Sequence, residues 1–142
     1  MRRHWFITLP LVAAALGAVS WAGFAPIEVA SHEAAFDIPK GTYARRRAGD
    51  LVEILPDTIR LTLGVKDVLL IRNHDDVPQI FGPTIMMPGQ SFRLPFERAA
   101  SYQFVCPAHA SGQLTIDVEP EPDTPWARIH WRVREWSESP GK

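Results

Sequence analysis

Cys106 and His109 are the residues of this chain best suited to chemistry. Tyr102, Phe104 and Cys106 alternate with Gln103 and Val105, so a strand here predicts that the only thiol points the same way as two aromatic rings. The alternation stops at Pro107, leaves a short loop carrying His109, and resumes at Leu114, Ile116 and Val118. A cysteine ending one strand and a histidine three residues on, in the loop that returns to the same sheet, can bring sulfur and imidazole to one ion. A soft thiolate with an imidazole suits copper or zinc.

The elements that must position this pair fit within a chain of 142 residues, enough for one domain with a real core. Arg2 and Arg3 precede an apolar run from Trp5 to Ala25, with the next acidic residue at Glu28. The run is long enough to span a bilayer as a helix and predicts an uncleaved membrane anchor over residues 1–25. Ala18-Val19-Ser20 also offers a small-x-small site for a removed signal peptide. In both cases the arginines stay cytoplasmic and the domain is placed on the extracytoplasmic side, periplasmic or extracellular. A lone cysteine in an oxidising compartment has no intramolecular disulfide partner, so it is buried, metal-bound or redox-active.

Between Pro26 and Asp123 the chain carries nine basic and fourteen acidic residues, and from Thr124 on four basic and two acidic. An acidic body argues against a nucleic-acid partner. Residues 26–50 read as a linker or packing extension, with a short helix over Ile27 to Phe36 and a basic cluster at Arg45, Arg46 and Arg47. That cluster suits a solvated loop, or a contact with anionic lipid or an acidic partner.

Leu51 to Leu55 reads as a short apolar segment, Ile59, Leu61 and Leu63 as one buried strand face, and Val68 to Ile71 as a continuous β-prone run ended by Asn73-His74-Asp75-Asp76. Further strands are expected at Gln79 to Phe81 and at Phe92, Leu94 and Phe96, with Pro88-Gly89 as a turn. Short strands between proline and glycine turns predict an all-β, antiparallel sandwich over residues 51–119. Residues 120–142 read as a proline-rich linker and a tail: Thr124-Pro125 is a helix N-cap and first-turn proline. Trp126, Ile129, Val133 and Trp136, with Arg128, Arg132 and Arg134, make a basic amphipathic helix. It suits packing on its own sandwich, or a membrane interface or partner.

From about Leu51 to Val118 the sequence resembles the cupredoxins, the Greek-key sandwich of blue-copper proteins. The matching landmarks are Pro56-Asp57-Thr58-Ile59-Arg60-Leu61, the strand ending in Asn73, Pro88-Gly89-Gln90-Ser91-Phe92, and Tyr102-Gln103-Phe104-Val105-Cys106-Pro107-Ala108-His109 followed by Gly112 to Val118. The resemblance implies a mononuclear copper site of two histidines and one cysteine with a weak axial methionine or glutamine. Cys106 and His109 fall on the cysteine and the second histidine. Gln79 stands where the first histidine is expected, after Val77-Pro78, and His74, in the same loop, lies five residues early. Ala110 stands where the axial methionine is expected, and Gln113 is a possible axial oxygen. Met86 and Met87 read as core and surface filler.

The metal candidates are therefore Cys106, His109, Gln79 and His74. The expected function is a membrane-tethered, copper-binding electron carrier with a redox partner; the alternative is a metal-free accessory subunit of a membrane complex. Catalysis by Cys106 and His109 as nucleophile and base lacks an orienting third group, and no phosphate loop or dinucleotide fingerprint is present.

Overall fold

Alternation along β8 (Gln113–Glu119) sends Leu114, Ile116 and Val118 inward. In the computed structural model, which describes residues 5–138, this strand is the centre of one sheet. β7 (Ala100–Val105) pairs with it antiparallel and β2 (Thr58–Thr62) pairs parallel, aligning Ile59 with Ile116 and Leu61 with Val118. A second sheet has β3 (Val68–Asn73) at its centre, antiparallel to β6 (Ser91–Pro95) and parallel to β1 (Glu33–Ile38). The short strands β4 (Gln79–Phe81) and β5 (Thr84–Met86) form a separate hairpin.

The core gathers Ile38, Leu55, Ile59, Leu61, Leu69, Ile71, Leu114 and Ile116, all at 2 % exposure or less. Each such side chain contributes about 1.5–3 kcal/mol on burial. Tyr102 and Phe104 are only half-buried; Tyr102 packs on Phe96 and Phe104 stacks on Phe81, with ring centroids 5.0 Å apart in each pair.

Three expectations change. The sandwich is mixed rather than antiparallel, because both β1 and β2 join their sheets in parallel. The stretch read as a short helix, Ile27 to Phe36, forms none: residues 27–32 are irregular and Glu33 to Phe36 open β1, whose backbone bonds to β3 outweigh the helical preference of Ala34 and Ala35. No strand forms at Leu51 to Leu55, although Leu55 is buried in the core.

Gly82 joins β4 to β5. Its φ is +53°, its N–H donates to Val105 O at 2.8 Å, and a Cβ there would lie 2.8 Å from Phe104 Cδ1. Gly82→Ala is expected to lose about 2–4 kcal/mol, combining left-handed strain with overpacking. An unchanged denaturant midpoint would show that the ring yields freely.

Residues 29–121 form one compact unit. The other unit contains α1 (Trp5–Phe24) and α3 (Pro125–Glu138). Thr124 caps α3 through Ala127 N–H, as expected. The helix packs against the end of α1, a neighbour not anticipated from the sequence. Gly23 lies against Pro125, and the Arg132 guanidinium stacks on Trp21 while donating to Ala22 O, Ala25 O and Pro26 O. Those carbonyls lie in the last turn of α1 and just beyond it, where backbone acceptors lack helical partners. Trp126, Val133 and Trp136 remain exposed. Arg2 and Arg3 lie outside the described residues, and no helix among the described residues is long and apolar enough to cross a membrane.

Candidate metal centre

β7 delivers Cys106 to the core at 0 % exposure. The following turn closes on itself: His109 N–H donates to Cys106 O, Gly112 N–H to His109 O, and Cys106 N–H to Gly112 O, at 2.9–3.1 Å. Burial pushes the Cys106 thiol up, while the N–H groups of His109 and Ala108 and the charge of Arg46 act in the opposite direction. These groups favour a thiolate, and a bound cation would supply the remaining compensation.

His109 is buried in the same turn. Ser111 N–H approaches Nδ1 at 3.2 Å, with Ser111 Oγ 2.8 Å from that nitrogen. Ser111 Oγ donates its own proton to Gln113 O at 3.0 Å, so at the shorter contact it is placed to accept from Nδ1. Nε2 lies 3.3 Å from Asp57 Oδ1. That approach has the reach of an ion pair without hydrogen-bond alignment, so Nε2 is left as a buried polar atom lacking a hydrogen-bond partner.

Gln79 sits on β4, buried, directly across from Met86 on β5. Its amide nitrogen donates to Asp75 Oδ2 at 2.8 Å. The amide is thereby oriented, with its carbonyl oxygen on the lobe away from that carboxylate. Asp75 is itself buried and accepts from Gly41 N–H, Tyr43 N–H and Asp76 N–H at 2.8–2.9 Å. Burial raises its carboxyl pKa, but the N–H groups of Tyr43, Asp76 and Gly41 and the Gln79 amide outweigh this, and it lies below the usual value. Asn73, ending β3, receives Asp75 N–H on Oδ1 and donates from Nδ2 to Val77 O and Met86 O. The strand-ending asparagine thus staples the Gln79 loop to the hairpin.

The sequence candidates separate. Cys106 and His109 share one turn and Gln79 is buried, whereas His74 lies at the surface with Nε2 3.1 Å from Asp37 Oδ1. Reaching Cys106 would require His74 to leave that partner. Gln113 is exposed. Met86 is in the core and Met87 at the surface, the division expected of filler. Among the described residues, no group of three or more His, Cys, Asp or Glu side chains is placed to hold a metal ion.

Sequence reasoning missed Asp75, Asp57, Ser111 and Arg46, the polar neighbours of the candidate donors. The only local signal was the Asn73-His74-Asp75-Asp76 cluster, which reads first as a turn.

The donor chemistry fits a soft ion of low coordination. Thiolate and imidazole are good ligands for cuprous copper, whereas an amide oxygen such as that of Gln79 is a weaker donor than an imidazole.

No protein-family model and no curated protein matches the chain. Among solved structures it is similar to a purple cupredoxin from Nitrosopumilus maritimus, with 21% identity and a TM-score of 0.47, covering 61% of this chain and 99% of that one. It is also similar to an amicyanin variant in the Cu(I) form, with 18% identity and a TM-score of 0.44, covering 65% of this chain and 87% of that one.

Proposed function

We propose that the β unit holds one copper ion between the Cys106 thiolate and the His109 imidazole, with the Gln79 carbonyl oxygen as a weaker third donor. Bound copper supplies one-electron transfer by alternating between its cuprous and cupric states. The chain's residues supply the sulfur and the imidazole from a buried, hydrogen-bonded turn. The observation that carries this reading is a buried thiol and a buried imidazole in one hydrogen-bonded turn, with His109 Nε2 lacking a hydrogen-bond partner. A soft cation would satisfy both groups.

The apolar run from Trp5 to Ala25 tethers the domain to a membrane, on the extracytoplasmic side, where it exchanges electrons with a redox partner. The exposed Trp126, Val133 and Trp136 of α3 suit the interfacial layer of that membrane.

Metal analysis of the purified full chain tests the copper reading, with an expected yield of one copper per chain and a thiolate-to-copper absorption band on oxidation. The chain is also expected to stay in the membrane fraction after alkaline carbonate washing; release of a shortened protein beginning near Trp21 would show a cleaved signal instead. A metal-free accessory domain is the second reading, favoured by the hydrogen bond that ties Gln79 to Asp75. A chain that takes up neither cuprous nor cupric ion would establish it.

A further inference from the structure

The three arginines at 45–47 lie on α2 (Thr42–Arg47), in the excursion that leaves β1. Arg46 turns inward: Nε and Nη2 donate to Ala108 O at 3.0 and 2.9 Å, and Nη1 donates to Asp50 O at 2.8 Å. Ala108 is 1 % exposed and lies between Cys106 and His109. One guanidinium thus holds the carbonyl at the middle of the candidate metal-binding turn and also secures its own loop. Arg47 instead lies over the Tyr43 ring at 5.9 Å.

The opposite end of α2 is fastened to the other candidate donor. Asp75 accepts from Gly41 N–H and Tyr43 N–H while also holding the Gln79 amide. α2 is therefore bound by Arg46 to the turn of Cys106 and His109, and through Asp75 to the strand of Gln79. These attachments are buried or half-buried, where charge-assisted hydrogen bonds are strong. A planar fork that gives two N–H groups to one carbonyl fixes direction as well as distance, which a lysine cannot do.

We infer that α2 is a clasp holding the two donor-bearing loops at a fixed separation, and that Arg46 is a positioning residue for the Cys106–His109 turn. The part concerning the metal rests on the copper reading above. A guanidinium held against that turn at Ala108 O disfavours adding positive charge at the ion and so raises the reduction potential.

The experiment compares Arg46→Gln and Arg46→Lys with the exposed-neighbour control Arg45→Gln, each in the full chain. In the metal-free protein, Arg46→Gln is expected to speed amide exchange at His109 and Gly112 at least about tenfold, while Ile59 and Ile116 in the central sheet keep their protection. Its cuprous affinity, measured by competition with a chromophoric chelator, should fall about 10–100-fold, the usual effect of losing an outer-shell partner. Its reduction potential should shift downward. Arg46→Lys should retain most of the potential and still loosen the turn, separating charge from geometry.

Unchanged exchange at His109 and Gly112 would overturn the clasp, as would faster exchange spread equally through the central sheet. A loosened turn with unaltered cuprous affinity would overturn the positioning role. Should the parent bind no copper, the copper reading fails by itself, and the exchange rates alone decide the clasp.

Discussion

Cys106→Ser is expected to weaken copper binding at least roughly a thousandfold and to remove the thiolate-to-copper band. The hydroxyl occupies nearly the same volume at a fully buried position, so the fold should tolerate the exchange. The chemistry does not, because a serine hydroxyl is neither soft nor ionised near neutral pH, whereas the thiolate is the principal soft donor. A thousandfold corresponds to about 4 kcal/mol at 1.4 kcal/mol per decade. The measurement is cuprous affinity by chelator competition together with the visible spectrum. Retention of either the affinity or the band would exclude Cys106 as the ligand.

Gln79→His is expected to act in the opposite direction, tightening copper binding about 10–100-fold and intensifying the colour of the oxidised form. The site favours this change for a reason specific to its surroundings. Asp75 already lies 2.8 Å from the Gln79 amide nitrogen, and metal-binding histidines commonly donate their second N–H to a carboxylate that fixes the ring and strengthens it as a donor. An imidazole at position 79 would inherit that arrangement. Combining Gln79→His with Cys106→Ser should leave the protein colourless, since the band requires sulfur. If copper affinity and spectrum match the parent, β4 does not face the ion and the ligand set must be sought elsewhere.

Much of the loop carrying Cys106 and His109 was legible from residue order. Alternation through Tyr102, Phe104 and Cys106, its break at Pro107, and its return at Leu114 fixed two strands and the turn between them, because period-two patterning is a local signal. Asn73 as a strand end and the Gln79 strand followed from the turn residues between them. The parallel neighbours were not legible: Thr58 meets Thr115 and Glu33 meets Val68, and nothing within either segment encodes a partner so far along the chain. β1 was obscured further by alanines, which carry no strand preference of their own.

The polar surroundings of the donors were hidden for a different reason. Arg45, Arg46 and Arg47 are identical letters, and only the docking of α2 selects the middle one for Ala108 O. Asp75 looks like a turn residue until Gly41, Tyr43 and Gln79 converge on it from separate segments. The contact of Arg132 with the carbonyls near Ala22 could not be read from an amphipathic pattern.

The parallel pairing of β2 with β8 also carries a kinetic consequence. Residues 58–62 acquire their sheet partner only from residues 115–119, so closing that sheet requires a loop of more than fifty residues before its hydrogen bonds form. Pairings of such high sequence separation slow folding, because loop-closure entropy is spent ahead of the stabilising contacts. In vectorial folding, with the N-terminal part emerging first, the β2 edge must wait for nearly the whole β unit. Arg60 on that waiting strand and Asp57 just before it are charged residues of the kind that discourage edge-to-edge association meanwhile.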